Sequence, residues 1–147
     1  MSSREVYETF CAESGTRPDY DALHHAGSAM FDITVPVMPL VGHLHAARYR
    51  LGILSNTCES HWQYVSDGRY AVIREPFALH VLSYHERSCK PEAGIYRCAA
   101  ERAGVEPHRI FFVDDRQENV DGALRVGFDA VLYQGPQHLS EALRSRG

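Results

Sequence analysis

Two kinds of apolar spacing divide this chain. In the first third the apolar residues recur at helical intervals. Val6, Tyr7, Phe10 and Cys11 predict a helix over Ser3 to Ala12, with Ser2 and Glu5 placed like a capping box. A second helix is predicted from Asp19 to Phe31, after Pro18, and a third from Val37 to Arg48, started by Pro36 or Pro39. Beyond Arg50 the pattern changes to short, β-rich apolar runs: Leu51 to Leu54, Leu79 to Leu82, Ile110 to Val113 and Ala130 to Tyr133. These runs are continuous rather than alternating, as expected of strands covered on both faces, and each is separated from the next by enough residues for a helix. That combination predicts an α/β fold built on a parallel sheet. The intervening helices fall at His61 to Val65, Glu92 to Ala103 and Gln117 to Val126, with Gly104 and Gly127 where helices stop, and a last helix lies near Leu139 to Arg144.

Composition narrows the class. A chain of 147 residues is expected to form one domain, and one of that size buries roughly 68 to 70% of its unfolded surface without staples. Cys11, Cys58, Cys89 and Cys98 match no CxxC spacing and are expected to be reduced thiols in a cytoplasmic protein. No apolar run approaches the roughly 18 residues of a membrane span, and the N-terminus does not resemble a signal sequence. A net charge of -4 with the two signs interspersed argues against a nucleic-acid or anionic-membrane partner. Among the nine histidines, His43 and His45 lie two residues apart, which on a helix points them to different faces, so they are expected to be solvent-facing.

In a doubly wound sheet, ligands bind beyond the carboxyl ends of the strands. The residues there are Ser55, Asn56 and Thr57 after the first run, Ser83, Tyr84 and then Lys90 after the second, and Asp114 and Asp115 after the third. A hydroxyl with backbone amides, an ammonium and a carboxylate pair suit a phosphate and its neutralising cation. Each also has a plainer reading: "SNT" as a helix cap, Lys90 as a solvated loop residue, and the two acids as caps of the following helix. Adjacent acids at a strand end repel each other, so a metal, a basic partner or solvent should hold them.

The three segments in order carry a resemblance. "YRLGILSNTCESHW", "LSYHERSCKPEAGIY" and "RIFFVDDRQENVDGALRVGFDAVLY" resemble the second, third and fourth motifs of the haloacid dehalogenase (HAD) superfamily, in the branch of sugar-phosphate phosphatases and the N-terminal phosphatase domain of soluble epoxide hydrolase. The likeness runs from about Phe31 to Tyr133, and "DYDALHHAGSAMFDITVPVMPLVGHLHA" is similar to cap helices of these enzymes. It implies a Rossmann-like parallel sheet with flanking helices, residues 1–34 being a partial helical cap and 35–147 the core. It implies Mg²⁺-dependent hydrolysis of a small phosphorylated metabolite through an aspartyl-phosphate. Ser55 and Asn56 would bind the phosphoryl group and Lys90 would neutralise charge there. Asp115 would ligate magnesium beside Asp114, with Asn119 steadying the metal shell.

The family's first motif, an apolar strand ending in a DxD-type loop, has no match. Asp19 and Asp21 have the spacing but follow no apolar strand, and Asp19 is better read as a helix cap; Asp32 is followed by Ile33 rather than a glycine-bearing loop. The central strand is therefore expected to be missing, between the strands ending at Ser55 and Asp114, and buried unpaired backbone there is costly. The fillers left open are direct closure of the flanking strands, a second copy of the chain as homodimer, or the one spare β-rich stretch, Tyr70 to Ile73. The expectation is a truncated piece of such an enzyme, inactive as it stands and with weak or absent Mg²⁺ binding. The alternative is a non-catalytic phosphate-binding or interaction domain, or a product without selected activity.

Overall fold

The computed structural model describes residues 3–146. Helix α1, Ser3–Ser14, buries one face through Tyr7 and Cys11. The Tyr7 ring meets Tyr20 edge-on at 5.1 Å, and its hydroxyl donates to the Pro18 carbonyl at 2.6 Å. Of the expected capping box, Ser2 lies outside the described residues. Helix α2, Tyr20–Ser28, begins at Asp19, whose carboxylate accepts from the Ala22 N–H at 2.9 Å, as the cap reading expects. A 3-10 turn at Val35–Val37 leads into α3, Met38–Ala46. Both His43 and His45 are exposed on α3.

Strand β1, Leu51–Ser55, lies parallel to β2, Phe77–Leu82, and β3, Phe111–Asp114, lies parallel to β4, Asp129–Leu132. All four expected strands form, and both pairings are parallel, as continuous apolar runs require. Helix α4, Glu59–Ser66, follows β1 and packs against α2. The stretch at Tyr70 to Ile73 forms no strand. It turns into helix α5, Ala71–Arg74, with the Ile73 N–H bonded to the Tyr70 carbonyl at 3.0 Å, so that local turn bonds serve its backbone. Nor do the flanking strands close on each other: among the described residues β1–β2 and β3–β4 are separate two-stranded sheets.

A short helix α6, Ser83–Glu86, leaves β2, and α7, Ala93–Ala103, and α8, Gln117–Arg125, cover the core. That core joins Val81 of β2, Ile95, Tyr96, Ala99 and Ala100 of α7, Phe112 of β3, Ala123 of α8, and Phe128. Tyr96 is fully buried, with the Phe112 and Phe128 rings edge-on to it at 5.7 and 5.8 Å. Burying each such side chain contributes about 1.5–3 kcal/mol. Gly104 caps α7 in the left-handed region at φ 64°, which a side chain would strain. Helix α9, Pro136–Arg144, ends the fold, and no helix of the described residues is long and apolar enough to cross a membrane.

Candidate active site

The strand ends converge on Lys90. Its Nζ donates to the Leu54 carbonyl of β1 at 2.9 Å and to Asp114 Oδ2 of β3 at 2.6 Å, so one side chain links the two sheets. The Lys90 and Asp114 side chains are 11% and 5% exposed, which makes this a shielded pair. The ammonium also lies 5.7 Å from the centre of the Phe112 ring.

Lys90 is held by its main chain. The Asn56 side-chain amide donates to the Lys90 carbonyl at 2.8 Å, and the Lys90 N–H donates back to Asn56 Oδ1 at 2.7 Å. This two-point clamp fixes the loop after β2 to the loop after β1. A second tie joins the same loops: the Thr57 N–H donates to Ser83 Oγ at 3.0 Å, and that hydroxyl donates to the Thr57 carbonyl at 2.9 Å. Ser55, half-buried, is the last residue of β1 and pairs in register with Leu82.

The two acids have different environments. Asp114 is 8% exposed, and its Oδ1 accepts from the Arg116 N–H at 3.0 Å and the Asn119 side-chain amide at 2.8 Å. Burial pushes its pKa up, but the Lys90 ammonium, Asn119 and the Arg116 N–H outweigh burial and hold it below the usual value. Asp115, the next residue, is exposed. Of the expected holders of the acid pair, Lys90 is the basic partner of Asp114, and Asp115 is left exposed.

Asn119 is 3% exposed; its carbonyl accepts from the Tyr96 hydroxyl at 2.7 Å, and its side-chain Oδ1 is buried with no hydrogen-bond partner. Burial, and then the Asp114 charge, push the Tyr96 pKa up to about 12. Ser55, Lys90, Asp114 and Asn119 thus lie on elements that meet at one end of the strands, Asn56 serves as the clamp on Lys90, and Asp115 stands outside this hydrogen-bonded group. Sequence reasoning missed the Asn56 clamp and the anchoring of Asp114 to the Arg116 N–H. An acid bonded to the amide two residues on is a common turn signal, and "DDR" carried it.

The fit to magnesium is partial. Both oxygens of Asp114 are engaged by protein donors, leaving Asp115 as the exposed carboxylate, and the described residues contain no group of three or more His, Cys, Asp or Glu able to hold a metal. Mg²⁺ is commonly bound through one or two carboxylates plus water and substrate phosphate. The chain therefore offers part of such a site.

The strands pair in parallel with helices beside them, and a clamped lysine and an acid pair stand at the strand ends. The chain belongs to the haloacid dehalogenase-like hydrolase family, whose model matches residues 6–127. It is similar to a HAD family enzyme from Bacteroides thetaiotaomicron, solved as the wild-type protein in complex with magnesium and inorganic phosphate. The two superpose with a TM-score of 0.83 at 25% identity, over 95% of this chain and 74% of that one. A predicted HAD-like family hydrolase from Porphyromonas gingivalis gives 0.81 at 22% identity, covering 98% of this chain and 74% of that one. A HAD phosphatase from Thermococcus onnurineus gives 0.70 at 22% identity over 87% and 59%, and these two likenesses concern the fold alone.

Proposed function

We propose that this chain carries the phosphate-binding half, and part of the metal site, of a magnesium-dependent phosphomonoesterase acting on a small phosphorylated metabolite. The observation that carries the reading is Lys90, clamped by Asn56 where the ends of β1 and β3 meet. An ammonium fixed on the Leu54 carbonyl, the residue before Ser55, suits a phosphoryl group. Family membership supports hydrolysis, and the Bacteroides relative was crystallised with both magnesium and inorganic phosphate.

In this reading Ser55 donates to the phosphoryl oxygens, Lys90 neutralises them, and Asn56 acts through the Lys90 backbone. Asp115 ligates magnesium, while Asn119 acts by bracing Asp114. When bound, magnesium supplies charge neutralisation for the phosphate. Residues 1–34 form part of a cap and 35–147 the core, and the four cysteines, unpaired in the structure, suit a reducing cytoplasm.

The chain by itself turns nothing over. Asp19 is engaged as a helix cap and Asp32 bonds the Ile33 N–H in an exposed loop, so neither stands at a strand end beside Lys90. The test has two arms. Phosphorus NMR titration should show inorganic phosphate binding that strengthens with Mg²⁺ and is lost in Lys90→Ala. Assay with p-nitrophenyl phosphate and Mg²⁺ should show no rate above that variant. Phosphate binding that ignores Lys90 would overturn the site, and a metal-dependent rate would overturn the inactivity. The non-catalytic alternative is favoured by the full engagement of both Asp114 oxygens, and it predicts phosphate binding indifferent to Mg²⁺.

A further inference from the structure

The loop after β1 draws its shape from the chain that follows β2. Asn56, Thr57 and Cys58 span from the strand end at Ser55 to the start of α4, and Cys58 caps that helix without a side-chain bond. The β1–β2 ladder ends where Ser55 pairs with Leu82. One residue further on, a side chain takes over from the ladder. Ser83 Oγ accepts from the Thr57 N–H at 3.0 Å and donates to the Thr57 carbonyl at 2.9 Å. A serine hydroxyl can both donate and accept, so one oxygen serves both main-chain groups of one residue. The two peptide planes that flank Thr57 are thereby fixed, and these part-buried groups would be costly to leave unpaired.

The residue before Thr57 is Asn56, which clamps the Lys90 main chain at 2.8 and 2.7 Å. Consecutive residues of one loop thus grip the two ends of the segment from Ser83 to Lys90. The reach of the Asn56 side chain depends on its own backbone setting, and the peptide it shares with Thr57 is the one whose N–H Ser83 holds. Nor is the Ser83 hydroxyl spent on its own helix. Leu82 occupies the N-cap of α6, and the hydrogen bonds of Ser83 Oγ go to Thr57.

We propose that Ser83 is a positioning residue of the site, acting through Thr57 and Asn56: its hydroxyl sets the loop conformation in which the Asn56 clamp closes on Lys90. What it places is the Lys90 ammonium, between the Leu54 carbonyl and Asp114. The use of that ammonium for phosphate rests on the phosphatase reading, whereas the coupling of the two ties does not. The position requires a hydroxyl, since alanine supplies neither bond and threonine supplies both.

The coupling is tested by amide hydrogen exchange, followed by NMR on the full chain without ligand. In Ser83→Ala the Thr57 and Lys90 amides should exchange roughly tenfold faster or more, while the amides of the buried Ile95 and Ala99 change by less than about twofold. Ser83→Thr should keep both loop amides within about threefold of the wild type. Ser83→Cys, with a weaker donor and acceptor, should fall between, and it carries the comparison if alanine prevents folding. Acceleration at Thr57 alone, acceleration of all amides together, or no rescue by threonine would each overturn the proposal. In a second arm, phosphorus NMR should show inorganic phosphate bound about tenfold more weakly by Ser83→Ala than by the wild type or Ser83→Thr. Equal phosphate affinity with a loosened clamp would overturn the link between Ser83 and the site. A wild type that binds no phosphate would overturn the phosphatase reading instead, and amide exchange would still decide the role of Ser83.

Discussion

Replacing Lys90 by methionine keeps most of the side chain's volume and removes its charge, which isolates the pair that spans the two sheets. The substitution strips Asp114 Oδ2 of its only charged donor at 2.6 Å and leaves a carboxylate whose side chain is 5% exposed. Removing one partner of a buried pair costs about 3–5 kcal/mol. Asp114 keeps the Asn119 and Arg116 donors, so the lower end, about 3 kcal/mol, is expected. Against a total of about 5–15 kcal/mol for a domain, that is readily measured by urea unfolding followed by circular dichroism.

The pH dependence provides the sharper test. In the wild type the folded pKa of Asp114 lies below its unfolded value, because Lys90 and the two N–H donors outweigh burial. Its contribution is therefore complete above pH ~4 and is lost as the pH falls through the folded value. Without Lys90, burial is opposed by the Asn119 and Arg116 donors alone, and the folded pKa rises from its wild-type position. The variant's deficit should then be largest near neutrality and shrink on acidification, as the wild type loses the Asp114 contribution. Lys90→Met combined with Asp114→Asn removes the stranded charge, keeps Oδ1 for its two donors, and should recover about 1–2 kcal/mol of the loss. A deficit below about 1 kcal/mol, or one that does not shrink toward pH ~4, would refute the assignment of Lys90 as the counter-charge of Asp114.

Two further outcomes follow from packing. A methyl group at Gly122, within α8, would meet the Pro91 carbonyl oxygen at 2.8 Å and the Tyr96 hydroxyl at 2.9 Å. Overpacking of about 1–3 kcal/mol should exceed the roughly 1 kcal/mol of helix propensity gained, so Gly122→Ala lowers the thermal midpoint. Gly42→Ala in α3, with nothing within 4 Å, should leave it unchanged or raise it. Tyr96→Phe removes the donor to the buried Asn119 carbonyl and should cost about 1–3 kcal/mol in urea unfolding. In the wild type the same hydroxyl, with its folded pKa raised to about 12, favours folding below the ordinary tyrosine value and loses that effect as pH rises toward 12. An ultraviolet titration should show at least one tyrosine ionising late that Tyr96→Phe removes, and a full complement ionising near pH ~10 would contradict its burial.

The chain's periodicity specifies the four strands and the longer helices, because burial on two faces demands continuous apolar runs and burial on one face demands helical spacing. Leu51 to Leu54, Ile110 to Val113, the Asp19 cap and the Gly104 stop are all legible for that reason. The residues at the strand ends are legible too, since order along the chain and a parallel sheet bring Ser55, Lys90 and Asp114 to one end. Which residue does what there is a matter of three-dimensional neighbours. Asn56 grips the Lys90 backbone from 34 positions away, and Asp114 rather than Asp115 turns inward to Lys90. Neither fact has a one-dimensional signature, because hydrogen-bond geometry depends on where two loops meet. The same holds for residues 70–73, whose β-rich composition yields to a local turn, and for the two sheets, whose separation is decided by backbone pairing that side-chain pattern alone cannot express.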